Sequence, residues 1–271
     1  MTQLANKTIL ITGAAGGFGQ EFARQLLARG NQLILTDWQA EPLAQLATNA
    51  TGPGQVLAHF ATDLLALDGP ETLARQTQEL DTPVDILINN AGTAVFGRVD
   101  EVPAKQWQRV VQLNLMVPMA LSAAFAAPMI QRGSGHIVNI SSVAGWTADI
   151  GLSAYAASKF GLRGFSETIA AELRPHNVKV SVAFPFFSRT PILNSPRFGS
   201  YAVDRPATDA IPGITEPAAV VAAMLAGIER DQLHIFPDRT GRTLYRLSRY
   251  TPRLFAFLRR RMTLANQLPA N

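Results

Sequence analysis

The chain has 271 residues, 47% hydrophobic and 16% charged, which excludes a disordered chain and supports a substantial buried core. It has no cysteine, so disulfides, a thiol nucleophile and thiolate metal sites are excluded, and its four histidines show no metal-ligand spacing, so no metal is expected. The net charge of +4 combines eight Arg without any acid from Arg239 onward with a body, residues 1–238, that is therefore at −4, so no nucleic-acid partner is expected for the main fold.

The N-terminal stretch Met1–Lys7 is polar and shows no secretory pattern. In chain order, Thr8–Thr12 reads as a buried strand, Phe18–Arg29 as a helix stopped by Gly30, and Gln32–Thr36 as a second strand. A helix over Pro42–Asn49, a strand over Gln55–Thr62, a helix over Glu71–Leu80 and a strand over Val84–Asn89 follow. Lys105–Met129 is a long helical region. Its stretch Leu115–Gln131, with Pro118 and Pro128, reads as a buried helix too short and interrupted to span a membrane, so a cytoplasmic location is expected. His136–Ser141, a helix over Ser153–Arg174, Val178–Phe184, a helix over Pro217–Glu229 and Leu233–Phe236 complete the alternation. Strand–helix alternation with apolar strands implies an α/β fold, a doubly wound parallel seven-stranded sheet of Rossmann type with helices on both faces. Residues 1–238 are expected to form one domain, with a Pro-rich lid over 190–215, and 239–271 a basic amphipathic helical extension.

Between the first strand and first helix, Thr12-Gly13-Ala14-Ala15-Gly16-Gly17-Phe18-Gly19 has the composition of a phosphate-binding turn, in which glycine permits tight turning and the helix start supplies free N–H groups. Asp37 ends the second strand and can accept hydrogen bonds from both ribose hydroxyls while repelling a 2′-phosphate. With Trp38 beside it and no Arg or Lys at Gly16 or Trp38, NAD is expected over NADP. Tyr155 and Lys159 share one face of a helix, and a neighbouring ammonium favours a phenolate. Ser142 ends the fifth strand and Asn114 lies in the helix before it.

The Gly-rich turn, Asn89-Asn90-Ala91-Gly92, a serine 13 residues before the tyrosine, and Tyr155-Ala-Ala-Ser-Lys159 together resemble the short-chain dehydrogenase/reductase family in its single-domain branch, from about Lys7 to Pro237. The resemblance implies Tyr155 as general acid/base, Lys159 as the group that holds the nicotinamide ribose and lowers the Tyr155 pKa, Ser142 on the substrate oxygen, and Asn114 positioning a relay water. It implies cofactor contacts at Gly13, Ala15, Gly17, Phe18, Gly19, Asp63, Leu64, Asn89, Ala91, Gly92 and Ile140, and carboxamide contacts at Pro185, Ser188 and Thr190. Ser141 competes with Ser142, and the 13-residue spacing favours Ser142.

One segment departs from the family pattern: Phe186 stands where the family has glycine and Ser188 where it has Val or Ile, which puts the carboxamide contacts in question. Thr93, Val95, Val143, Ala144, Leu152, Phe186 and Phe187 are expected to face the substrate. All lack charge, so a lipophilic alcohol or carbonyl compound is expected. In the tail, Leu244, Leu247, Leu254 and Leu258 form one stripe and Arg242, Arg246, Arg249 and Arg253 the other, with Thr251-Pro252 opening a second short helix. That pattern suits either peripheral membrane contact or subunit packing, and a homodimer or homotetramer is expected. The expected activity is NAD-dependent interconversion of an alcohol and its carbonyl; the rival is a non-catalytic NAD(H) sensor or scaffold on the same fold.

Overall fold

The structure, a computed structural model, describes residues 1–202 and 213–267, the stretch 261–267 by backbone only. The expected lid lies partly outside the described residues, at 203–212, as do 268–271 of the tail.

Seven strands form one parallel sheet: β1 (Thr8–Thr12), β2 (Gln32–Asp37), β3 (Gln55–Ala61), β4 (Ile86–Asn89), β5 (Gly135–Ile140), β6 (Val178–Ala183) and β7 (His234–Ile235), in the order β3-β2-β1-β4-β5-β6-β7. Alternate strand residues point to opposite faces, so Ile9 and Ile11 enter one core and Leu10 the other. The first core is closed by α1 (Gly17–Leu27), through Phe22 and Leu26, and by α7 (Pro217–Glu229), through Val221, Met224 and Leu225. The second is closed by α3 (Gly69–Gln78), α5 (Val117–Gln131) and α6 (Ser153–Leu173), which contribute Leu73, Leu121, Phe125 and Leu173. A further helix, α2 (Ala40–Thr48), buries Leu43. The chain leaves β1 toward β2 and β3 and returns to β4 on the other side of β1. That reversal opens a crevice beyond the carboxyl ends of β1 and β4, the place where such sheets bind ligands.

The long helical region is continuous over Ala104–Gln131, 28 residues, and by length and composition alone could span a membrane. It continues through Pro118, which follows directly on a wider turn in which the Val117 N–H reaches back to the Gln112 carbonyl. It packs Val117, Leu121, Phe125 and Met129 into the second core. Between α4 (Ala104–Val111) and α5 the helix widens into a π turn, Gln112–Met116, a feature often found at functional positions. Two helices end the described chain, α8 (Arg239–Tyr250) and α9 (Pro252–Gln267).

Candidate active site

The turn after β1 is built by close approach. Gly13 has φ +63°, and a Cβ there would stand 2.8 Å from the Cα of Ala91, so only glycine fits. Asn90 fastens the two segments: its Nδ2 donates to the carbonyls of Thr12 and Gly13 at 2.9 and 3.0 Å, while the Thr12 hydroxyl accepts the N–H groups of Asn90 and Ala91, both at 3.0 Å. At Gly19 a Cβ would fall 2.1 Å from the Gly13 carbonyl, which packs the first turn of α1 onto the loop. Helix α1 starts with no side-chain cap and no acid in its first turn, leaving Gly17 and Phe18 at a free, positive helix end suited to a pyrophosphate. On its outer side, a Cβ at Gly17 would meet the Thr190 methyl at 2.7 Å, so the segment after β6 crosses the turn.

Asp37 is buried at the end of β2. Its Oδ2 accepts the Ala15 N–H at 3.0 Å and its Oδ1 the Gln39 N–H at 3.1 Å, which fixes the carboxylate and leaves lone pairs for ribose hydroxyls. Trp38 beside it is exposed. Asp63 closes a local turn by accepting the Leu65 N–H at 2.9 Å, and the Leu64 side chain belongs to the second core, which leaves its backbone for an adenine contact. The Asn89 amide is likewise committed inward, donating to Asn139 Oδ1 at 2.8 Å and Ser122 Oγ at 3.3 Å, so only its backbone serves the crevice. The uncapped helix start, the fixed Asp37 carboxylate and the lack of a basic residue at position 38 fit a nicotinamide dinucleotide.

The four expected catalytic residues converge beyond the ends of β4 and β5. Asn114 is fully buried in the π turn, where its Oδ1 accepts the Thr93 N–H and its Nδ2 donates to the Thr93 carbonyl, both at 2.9 Å, and to Ser158 Oγ at 3.2 Å. A Cβ on Gly92 would stand 3.3 Å from Asn114 Oδ1 and 3.7 Å from Lys159 Nζ, so that glycine leaves open the space between them. Lys159 Nζ donates to the Ile140 carbonyl at 2.8 Å and lies 5.7 Å from the Tyr155 ring centroid. Of the two serines, Ser141 donates to the Lys159 carbonyl at 3.0 Å, whereas Ser142 accepts the Ala144 N–H at 3.1 Å and lies near enough to the Tyr155 hydroxyl to lower its pKa.

Burial pushes the Tyr155 phenol up, against a smaller lowering by Ser142. Lys159 is itself desolvated, to a pKa of about 7, and its Nζ is turned to the Ile140 carbonyl.

The departure at Phe186 also resolves. Phe186 is not among the residues with positive φ, so this loop makes no demand for glycine. Its N–H donates to Asp238 Oδ2 at 2.8 Å, and its ring meets Phe187 edge to face at 5.1 Å. Ser188 is buried, with its hydroxyl paired to Thr215 Oγ1 at 2.7 Å, and its carbonyl accepts the Thr190 N–H at 2.7 Å. Pro185 is buried, and its carbonyl accepts the Val143 N–H at 3.1 Å. Val95, Val143, Ala144 and Leu152 are buried around the site, and Thr93 is half-buried. Of the nearby cations, Arg197 lies over the Phe96 ring at 4.3 Å and Arg189 pairs with Glu216 at 2.6 Å.

The sequence reading missed Asn90, Ser158 and Asp238. Asn90 stands inside the Asn-Asn-Ala-Gly motif and Ser158 inside the Tyr-to-Lys span, which were the available signals. For Asp238 the available signal was local, an acid at the N-cap position three residues before Gly241, whereas its second partner, Phe186, is 52 residues away and unmarked.

This geometry defines a nucleotide-binding oxidoreductase site. The chain belongs to the short chain dehydrogenase family, whose pattern matches residues 7–197. It is 31% identical over 240 residues to the ketoacyl reductase HetN of Nostoc sp., covering 88% of this chain and 81% of that protein. Among solved structures it is similar to a short-chain dehydrogenase from Sphingobium yanoikuyae in complex with NADPH, at 28% identity and TM-score 0.76, covering 97% of this chain and 96% of the other. A short chain dehydrogenase/reductase from Burkholderia phymatum in complex with NAD is 25% identical with TM-score 0.80, covering 94% and 96% of the two chains. The protein is an oxidoreductase of this family acting on a small molecule.

Proposed function

We propose that the protein interconverts a lipophilic alcohol and its carbonyl compound with NAD, working in the cell toward oxidation. The observation that carries this reading is the meeting of Ser142, Tyr155 and Lys159 at the same carboxyl-end edge of the sheet as the fixed Asp37. Bound nicotinamide supplies the hydride acceptor or donor. Around it, Ser142 holds the substrate oxygen, and Tyr155 gives or takes the proton at that oxygen. Lys159 holds the ribose, and its charged form brings the Tyr155 phenol down toward useful basicity. Asn114, fixed by Thr93 and Ser158, keeps open the way for a water between Lys159 and solvent. The Phe186–Phe187 wall and the buried Val95, Val143 and Leu152 favour an apolar substrate.

NAD is favoured because Asp37 presents a fixed carboxylate, with no cation at Trp38, where a 2′-phosphate would sit. The assembly we propose is a homodimer or homotetramer in the cytoplasm, supported by exposed Trp107, Met116 and Phe160 on α4, the π turn and α6. Residues 1–238 act as the catalytic domain, with the tail as an extension at its mouth. NADH formation with a panel of secondary and primary alcohols tests the reading. Turnover with lipophilic alcohols and NAD is expected; NAD binding without turnover of any substrate would favour the sensor.

A further inference from the structure

The tail presents a surface that the proposed reaction does not use. Helix α8 is clamped to the body by its inner face: Tyr245 stacks on Phe236 at 4.4 Å and meets Trp146 edge-on at 4.6 Å, and a Cβ on Gly241 would stand 2.7 Å from Val143 Cγ2. Its outer face carries Arg239, Arg242, Arg246 and Arg249, all exposed, at spacings of three and four residues that place them in one row. The row is about 15 Å long. Among the described residues no ion pair holds any of the four. At the end of the row, Tyr250 is 72% exposed, and Leu254 and Leu258, one turn apart on α9, are 49% and 40% exposed, with Arg253 and Arg260 on their flanks.

We infer that this face docks on an anionic lipid surface. Arg242 also donates to the Phe236 carbonyl at 3.2 Å, but the row has no acidic partner among the described residues and so favours an anionic surface, while the exposed Tyr and Leu beside it favour an apolar one. The boundary between phospholipid headgroups and acyl chains offers both, and Arg stems can reach along it. A nucleic acid would answer the charges and leave Leu254 and Leu258 in water. Helix α8 itself lies beside the site, since Gly241 on its inner face packs on Val143, next to Ser142.

The test is co-sedimentation of the full-length protein with phosphatidylcholine vesicles, with and without phosphatidylglycerol. Binding is expected only with phosphatidylglycerol, and it should fall as salt rises. Each Arg near an anionic leaflet contributes about fivefold in partitioning, so Arg242→Gln/Arg246→Gln/Arg249→Gln should lower it roughly 100-fold at unchanged melting temperature. Leu254→Asn/Leu258→Asn should weaken binding that persists at high salt. Wild-type protein left in the supernatant at low salt, or a triple variant that sediments like wild type, would overturn the proposal. A drop in oligomeric mass of the triple variant without any vesicle binding by wild type would assign the face to a second copy instead.

Discussion

At Tyr155 two opposing effects are visible: burial holds the proton on, and Ser142 draws the hydroxyl toward the ionised form. Tyr155→Phe keeps the ring and removes the proton. If Tyr155 is the acid/base, kcat should fall by about 10²–10⁴-fold while NADH still binds by fluorescence titration. The Lys159 pKa of about 7 adds a pH dependence. Carbonyl reduction needs the ammonium, which is lost from the ligand-free enzyme as pH rises through about 7, so kcat/KM for reduction should decline above that value. Asp37 supports Ala15, and in the proposed reading it also meets the ribose. Asp37→Ala should weaken NAD binding through both and NADP binding only through the first, so the NAD/NADP affinity ratio narrows. A wild-type enzyme that already binds NADPH more tightly than NADH would refute the assignment. These residues were legible because each sits in a short motif with a fixed offset. The contacts of Asn90 with Thr12 and Gly13 and of Asp238 with Phe186 were not, because those partners lie 77–78 and 52 residues away.

At the scale of elements, the strands could be read from their uninterrupted apolar runs, and most ends fell within two residues of the sequence reading. The π turn at Gln112–Met116 was not legible, since its cause is the tertiary fastening of Asn114 to Thr93 and Ser158. The start of α8 is another element set by tertiary contact. Asp238 caps it by accepting the Gly241 N–H at 2.6 Å, and the same carboxylate accepts the Phe186 N–H. With the Val143 N–H on the Pro185 carbonyl and Gly241 packed on Val143, these contacts form a ring joining the Ser142 turn, the Phe186 loop and the tail. Asp238→Ala would leave two N–H groups without acceptors and remove a cap, costing about 2 kcal/mol or more. Urea denaturation should show that loss, and KM should rise more than kcat falls, because the Phe186–Phe187 wall loosens. Asp238→Asn retains a capping oxygen and should recover most of the stability.

For the whole molecule, the joint between the N-terminal residues, the sheet and the α7–β7 turn is a buried histidine. His136 on β5 is 1% exposed, with Nδ1 at 2.9 Å from Thr2 Oγ1 and Nε2 at 2.9 Å from Ser181 Oγ. The Ser181 hydroxyl also donates to the Gln232 carbonyl at 2.7 Å, and Thr2 Oγ1 lies 2.6 Å from Asp231 Oδ1. Burial lowers the His136 pKa to about 4, against a raising effect of Asp231 and with a further lowering by Lys179. The Thr2 hydroxyl donates to Asp231 Oδ1 and the Ser181 hydroxyl to the Gln232 carbonyl, so neutral His136 donates from one ring nitrogen to one of these two oxygens. The unfolded chain takes up a proton near pH 6.5 that the folded chain refuses until about pH 4. Stability from this group is therefore complete above the upper value and is lost as pH falls across the window, by about 3 kcal/mol in full. Urea midpoints from pH 7 down to pH 4 should fall for wild type and fall less for His136→Gln, which keeps polar contacts without the titration. If the pair instead runs the other way, with wild type gaining stability relative to His136→Gln as pH drops, then His136 is held as an imidazolium donating to both hydroxyls and answered by Asp231.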